Sequence, residues 1–175
     1  MTEAVPAAEA LLRGHPAVAD AAVYPAGDGQ PLVAVAPVGF LNGPEVREIL
    51  RAVLGPAEVP ARVAVLDELP RRPDGDLDAA ELHRRVANLP GGVYQYEPAG
   101  DELERRLVAL WMELLGRPEV GATDDFIDVG GDSMSGVELV NRVDELFGVQ
   151  LDLDEVFQNT TVRGLAAAIR AQQLG

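Results

Sequence analysis

Residues 88–100, with the sequence NLPGGVYQYEPAG, interrupt the hydrophobic pattern of the chain near its middle. The stretch contains three Gly and two Pro and has neither helical nor strand periodicity. Before it, strand-like and helical segments are mixed, whereas every periodic segment after it is helical. We therefore predict two domains, a front unit over residues 1–87 and a rear unit over residues 101–175, joined by this stretch as a linker.

The front unit has the pattern of a small α+β domain of order αββαβα. Helical spacing occurs in PAAEALL, GPEVREILRAVLG and DAAELHRRVA, and strand-like runs occur in VADAAVY, PLVAVAPV and VPARVAVLDEL. Pro44 suits the first turn of the second helix, and Asp78 is the predicted N-cap of the third. One face of the second helix carries four apolar residues: Val46, Ile49, Leu50 and Val53.

The rear unit has the pattern of an all-α bundle of four helices. The first helix, in DELERRLVALWMELLG, carries an apolar stripe of Leu103, Leu107, Leu110, Trp111 and Leu114. The second is predicted over residues 133–147, with an inner face drawn from Val137, Leu139, Val140, Val143 and Phe147. A short helix in LDLDEVFQ and a fourth in TTVRGLAAAIRAQ, with Thr161 near its cap, complete the bundle.

The charge of the chain restricts its partners. Its 14 basic residues are all Arg, and 29 acidic residues leave a net charge of −15. Such a surface repels phosphate backbones and anionic lipids, so we expect a protein with a basic docking face as partner rather than nucleic acid or a membrane. No segment has the pattern of a signal peptide or a membrane helix, and we expect a soluble, cytoplasmic protein.

The chain also lacks groups that many catalytic and metal sites require. It contains no Cys, which excludes disulfides, thiolate metal sites and a Cys nucleophile. Chemistry that needs a thiol must therefore obtain it from an added group. The two histidines, His15 and His83, each lie near a helix end without a second ligand nearby, and we predict no metal site.

The segment FIDVGGDSMSGVELV places Ser133 between a glycine-rich loop and a helix, and three roles are open for it. The first is a helix N-cap, where serine is common. The second is a hydrolase nucleophile, because GDSM resembles the Gly-Asp-Ser block of one esterase family. That role requires a base, and both histidines lie in the front unit. The third role is a point to which another enzyme attaches a group.

The third role accounts for the most residues. A serine at the start of a helix, carried by a glycine-rich loop, can enter the active site of a second enzyme. The carboxylate of Asp132 would there help to orient a metal-bound phosphate donor. The helix N-terminus would in turn favour the negative phosphodiester that results.

Residues 101–172 resemble the peptidyl and acyl carrier domains of nonribosomal peptide and polyketide synthases. The matching residues are Phe126, Gly130, Gly131, Asp132, Ser133, Leu139, Phe147, Gly148, Phe157, Thr161, Val162 and Leu165. The resemblance implies that a magnesium-dependent phosphopantetheinyl transferase attaches 4′-phosphopantetheine from coenzyme A to Ser133, beside Gly131 and Asp132. The thiol of this arm then holds aminoacyl or acyl groups as thioesters.

The same resemblance implies further partners and a docking surface. The partners are an adenylating or acyl-loading enzyme acting in trans and a downstream condensation, ketosynthase or tailoring enzyme of natural-product biosynthesis. Met134 and Val137 would form the docking patch, with packing in the core as the alternative for both. GGDS is typical of peptide synthetases, whereas GVELVNR also suits polyketide carriers, so the type of system stays open.

Residues 5–85 resemble the small C-terminal subdomain of adenylation enzymes. The matching segments are HPAV, VPARVAVLDELP and the loop PDGDLD at residues 73–78. In the family this loop carries a lysine that stabilises negative charge when a carboxylate attacks the α-phosphate. Here Asp76 occupies that position, where its charge would be repulsive, and the chain contains no lysine to replace it. We also expect the large ATP-binding subdomain to be absent.

The resemblances together predict a carrier protein that is not itself an enzyme, with a front unit inactive in adenylation. The front unit would be a structural relic, a docking platform, or the complement of a separately encoded ATP-binding core. The last role defines an alternative function, half of a split adenylating enzyme, which would restore ATP–pyrophosphate exchange to that core. A third hypothesis is an independent esterase, whose turnover of an activated ester would disappear in Ser133→Ala.

Overall fold

The computed structural model describes residues 4–26 and 28–174, which form two compact units, Met1–Gln95 and Tyr96–Gly175. The front unit contains α1 (Ala4–Arg13), β1 (Val18–Pro25), β2 (Pro31–Pro37), α2 (Gly43–Arg51), β3 (Arg62–Val65), α3 (Ala79–Ala87) and β4 (Tyr94–Gln95). The rear unit contains α4 (Glu102–Leu115), α5 (Ser133–Phe147), α6 (Leu153–Gln158) and α7 (Val162–Gln173). The predicted fold class, an α+β domain followed by a four-helix bundle, is confirmed.

The front unit is built on one mixed sheet of strand order β1-β2-β3-β4. β1 and β2 form an antiparallel hairpin, and the register between them shifts between Val18 and Asp20. β2 and β3 are parallel, with α2 as the connection between them. β4 pairs antiparallel with β3 and is an addition to the predicted order αββαβα. The sequence gives no signal for β4, because a two-residue strand has no periodicity of its own.

Helices cover both faces of this sheet. One cluster joins α1 and α2 to the strand residues Val33, Val35 and Val63, and the other joins α3 to Leu32 and Ala34. Neighbouring residues of β2 therefore point to opposite cores, and its five central residues are all buried. Burial on both faces explains the uninterrupted apolar run PLVAVAP, which lacks the alternation of a half-exposed strand.

The structure corrects the predicted extent of α2. Asn42 begins the helix through a reciprocal capping box with Glu45, and Pro44 lies in the first turn as predicted. The helix ends at Arg51, so Val53 lies beyond it and is 69% exposed instead of belonging to the apolar face. Asp78 is confirmed as the N-cap of α3, where its side chain accepts a hydrogen bond from the Glu81 backbone.

The boundary between the units lies at Gln95 and Tyr96, inside the predicted linker 88–100. Before the boundary, Tyr94 in β4 packs closely against Gly43 at the start of α2. After it, the backbone carbonyl of Glu97 accepts a hydrogen bond from the Ala122 N–H at 2.7 Å, within the rear unit. Regular contacts of each unit therefore extend into the stretch that the sequence marks only as lacking periodicity.

The rear unit encloses a core centred on Trp111 and Phe126, both fully buried. Their rings meet edge to face, with centroids 4.9 Å apart. The guanidinium of Arg106, near the start of α4, lies over the ring of Phe147 at the end of α5, so these two helices run antiparallel. None of the helices among the described residues has the length and apolar character that crossing a bilayer demands.

We predict that Gly43→Ala loosens β4. An added Cβ would lie 2.2 Å from Cγ of Tyr94, so the tyrosine has to move, at a cost of about 1–3 kcal/mol. Amide hydrogen exchange of the full chain should become faster in β3 and β4. Gly14→Ala is the matched control, because its Cβ would meet only ordinary contacts at 3.4 Å or more. Equal exchange in both variants would contradict the predicted packing of Tyr94.

Candidate functional site

The loop that precedes α5 is held by the backbone of Phe126. Its N–H donates to the carbonyl of Thr160, and its carbonyl accepts from the N–H of Gly131, each at 2.7 Å. Gly130, with φ of 100°, makes the turn between these points in a conformation that favours glycine. Because the Phe126 ring is fixed in the core, the loop of residues 126–132, here called the site loop, has a defined path to the helix.

Gly131 lies against Phe126 without room for a side chain. A Cβ at this position would lie 2.4 Å from the Phe126 ring and 2.5 Å from its carbonyl oxygen. The carbonyl belongs to the backbone that the Thr160 contact fixes, so it cannot move away easily. At the predicted site residue Gly131, the absence of a side chain permits close approach of two backbone segments just before Ser133.

Asp132 is the N-cap of α5, and it forms a reciprocal capping box with Ser135. The N–H of Ser135 donates to Oδ1 of Asp132 at 2.8 Å, and the N–H of Asp132 donates to Oγ of Ser135 at 2.8 Å. The Ser135 hydroxyl also lies 2.9 Å from Oδ1. Hydrogen bonds from the Ser135 backbone and side chain hold the pKa of Asp132 below its ordinary value of 3.8.

Ser133 is the first residue of α5 and is exposed. The structure thereby answers the question of capping, because the neighbouring Asp132 occupies the N-cap position that sequence analysis left open for Ser133. Within the described part of the chain, the Ser133 hydroxyl has no hydrogen-bond partner. An exposed, uncommitted hydroxyl at a helix N-terminus is available to react with a group brought by another protein.

Three apolar side chains are exposed on the site loop or in the first half of α5. Met134 is 83% exposed, Val137 is 50% exposed, and Ile127 is 51% exposed. Met134 and Val137 therefore do not pack in the core, the alternative role considered for them. The buried face of α5 is formed by Leu139 and Val143. Sequence analysis missed Ile127, since an apolar residue between Phe126 and Asp128 gives no sign of which side faces solvent.

The other predicted site position, Asp76, lies in an exposed hairpin of the front unit. The Arg72 N–H donates to the Asp76 carbonyl at 2.8 Å, and Asp74 accepts from the Asp76 N–H at 3.1 Å. Gly75 makes the turn with φ of 90°. The hairpin thus depends on backbone groups and on the side chain of Asp74, and the identity of the side chain at position 76 is not needed for the turn.

A bidentate ion pair fixes the base of this hairpin. Arg71 donates to both carboxylate oxygens of Asp20, at 2.7 and 2.8 Å. Although partial burial raises it, the pKa of Asp20 is held below 3.8 by the hydrogen bonds and charge of Arg71. The histidines play no part here: His15 accepts from the Ala17 N–H at 3.3 Å, and His83 is exposed on α3. The described residues contain no group of three or more potential metal ligands.

Two family models match the chain, one in each unit. Residues 105–169 match the model described as a phosphopantetheine attachment site, and residues 7–75 match the AMP-binding enzyme C-terminal domain. The rear unit is a phosphopantetheine attachment domain. The front unit is an AMP-binding enzyme C-terminal domain, and its match ends one residue before Asp76.

The relatives of this carrier chain include much longer synthetases. Phosphinothricin tripeptide synthetase PhsC of Streptomyces viridochromogenes is 33% identical over 171 residues, an alignment covering 94% of this chain and 16% of the synthetase. Bacitracin synthase 1 of Bacillus licheniformis is 30% identical over 132 residues, with 74% of this chain and 2% of the synthase covered. The chain therefore spans less than a fifth of the length of either relative.

A solved structure resembles part of the chain. BlmI, a type-II acyl carrier protein of Streptomyces verticillus involved in bleomycin biosynthesis, is 37% identical. The match covers 42% of this chain and 87% of BlmI, with a TM-score of 0.39.

The cofactor of phosphopantetheine attachment domains is 4′-phosphopantetheine, held covalently. The residues at the start of α5 fit this group. Ser133 offers a free hydroxyl, the exposed position leaves room for a long arm, and the helix N-terminus favours the negative charge of a phosphodiester.

We predict that Gly131→Ala destabilises the rear unit by about 1–3 kcal/mol, because its Cβ collides with the Phe126 ring and carbonyl. Urea unfolding followed by the fluorescence of Trp111, the single tryptophan of the chain, reports this unit. Gly100→Ala is the matched control, since its Cβ would make one contact of 3.4 Å with Glu104. A Gly131→Ala midpoint equal to that of the control would contradict the close approach.

Proposed function

We propose that this chain is a carrier protein of a nonribosomal-peptide-type assembly line and that Ser133 is its point of phosphopantetheine attachment. The observation that carries the proposal is the exposed, unpartnered hydroxyl of Ser133 at the first position of α5. The attachment domain requires one such group, and the chain contains only one other serine, Ser135. The hydroxyl of Ser135 is engaged with Asp132, which leaves Ser133 as the residue of choice.

In the attachment reaction, the Oγ of Ser133 attacks the phosphorus of coenzyme A that carries the pantetheine arm. A serine phosphodiester forms as the pyrophosphate bond of coenzyme A breaks. The leaving group is adenosine 3′,5′-bisphosphate. The hydroxyl proton passes to a base of the transferase. The attached arm supplies the thiol that a chain without Cys cannot offer. The N–H groups of the first turn of α5 would favour the negative charge of this phosphodiester.

The surroundings of Ser133 support docking of larger partners. Ile127, Met134 and Val137 form an exposed apolar set on the site loop and the first turns of α5. Exposed apolar side chains rimmed by charge are typical of protein interaction sites. The expected partners are the phosphopantetheinyl transferase, a loading enzyme and the enzyme that consumes the thioester. The net charge of −15 favours basic faces on these partners.

The front unit, in this proposal, does not promote adenylation. Asp76 lies at the position where the related adenylation enzymes carry a lysine, and a carboxylate would repel the charge that develops on the α-phosphate. The hairpin that carries Asp76 is nevertheless well formed, with Arg71 paired to Asp20 at its base. A folded unit without the required charge suits a structural or docking role.

The attachment proposal is tested by intact-protein mass spectrometry after incubation with a broad-specificity phosphopantetheinyl transferase, magnesium and coenzyme A. We expect the wild type to gain one phosphopantetheine group at completion and Ser133→Ala to gain none. Ser135→Ala is the matched control and should still gain one group, because Ser133 is intact. A folded wild type that stays unmodified, or a mass gain in Ser133→Ala, would refute the proposal.

The inactivity of the front unit is tested by adding the chain to an adenylation core that lacks its own C-terminal subdomain. We expect no gain of ATP–pyrophosphate exchange with the wild type, because Asp76 repels the developing charge. Asp76→Lys restores the missing positive charge and should raise the exchange rate of the same core. Strong exchange with the wild type would instead support a split adenylating enzyme.

A further inference from the structure

Ser135 lies two residues after the proposed attachment site, yet its hydroxyl is committed to Asp132 rather than to solvent. It accepts from the Asp132 N–H at 2.8 Å, and its nearest acceptor is Oδ1 of Asp132 at 2.9 Å. Oδ1 receives a second hydrogen bond from the Ser135 backbone at 2.8 Å. Two of these hydrogen bonds, from the hydroxyl and from the backbone N–H of Ser135, reach Oδ1 and hold the Asp132 carboxylate, while the hydroxyl also lies 3.1 Å from the Asp132 carbonyl oxygen.

The two oxygens of the Asp132 carboxylate therefore have different surroundings. Oδ1 is occupied by the capping box, whereas Oδ2 receives no side-chain hydrogen bond in the part of the chain that the structure describes; the Met134 backbone also interacts with this carboxylate and helps to lower its pKa. The carboxylate is exposed, and its neighbour along the chain is Ser133. Oδ2 therefore belongs to an exposed side chain that the capping box holds, one residue before the serine that the proposed function modifies.

We infer that Ser135 is a positioning residue for phosphopantetheine transfer: it holds the Asp132 carboxylate in one rotamer so that Oδ2 meets the cationic, metal-bound donor without rearrangement. This inference rests on the proposed attachment at Ser133. A carboxylate that is already oriented loses less conformational freedom when the complex forms, and its charge lies at the correct place when the pyrophosphate bond breaks.

An ordinary capping box stabilises its helix, and the two effects have to be separated. The rear unit offers a suitable control in Asp101, the N-cap of α4, whose side chain accepts from the Glu104 N–H at 3.0 Å. Arg106, one turn further along α4, donates to the carbonyl of Leu146 near the end of α5. Asp101 therefore lies at the opposite end of the bundle from Ser133, and its loss changes helix stability without touching the site.

The experiment compares steady-state transfer rates for the full chain with one transferase, magnesium and coenzyme A. Ser135→Ala should lower kcat/KM about tenfold, mainly through kcat, as is typical when a residue that orients a ligating group is removed. Ser135→Thr retains the hydroxyl and should recover a rate near that of the wild type. Asp101→Ala should lower the melting temperature and leave kcat/KM unchanged.

A double-variant comparison shows whether Ser135 acts through Asp132. If it does, Asp132→Asn combined with Ser135→Ala is no slower than Asp132→Asn alone, because the second change has nothing left to position. Multiplying effects in the double variant, or a wild-type rate in Ser135→Ala, would overturn the inference while leaving attachment at Ser133 intact. A wild type that accepts no group overturns both proposals at once.

Discussion

The geometry of the proposed attachment site depends on the backbone of one core residue, Phe126. Its ring is buried against Trp111, while its N–H and carbonyl bind Thr160 and Gly131 at 2.7 Å each. The hydrophobic core of the rear unit and the exposed loop before α5 are thus joined through one residue. Since packed cores resist small displacements, the contacts of Phe126 fix the start of α5 relative to the core, although Ser133 itself is exposed.

Structural features that follow from local sequence patterns can be predicted from the sequence. Features that depend on the path of the folded backbone cannot. The limits of α5 follow from apolar periodicity and from glycine at its end, and Asp78 and Thr161 are recognisable caps. Asp132 and Ser133 are both good N-cap residues, so their types alone cannot show which one caps the helix. β4 is another such case, because its identity as a strand comes from pairing with β3.

In the hairpin of the front unit, the groups that stabilise the turn do not include the side chain at position 76. The turn at residues 72–76 needs the left-handed conformation of Gly75 and backbone hydrogen bonds. Neither depends on which side chain is present at position 76. The fold therefore does not require a particular side chain at position 76, although a lysine and an aspartate there would carry opposite charges. For this reason a match to the family model carries no information about activity, and the residue at position 76 has to be considered by itself.

The composition of the chain explains why the site consists of positioning groups rather than acid–base groups. The rear unit contains no Cys, Lys or His, so it has no thiol of its own to hold a thioester. In the proposed function, the base and the metal come with a partner, and the thiol comes with the cofactor. What remains for the rear unit is to present one hydroxyl and one carboxylate in fixed positions, which the capping box and Phe126 accomplish. In this proposal, the chemistry at the site is set by the enzyme that docks on it.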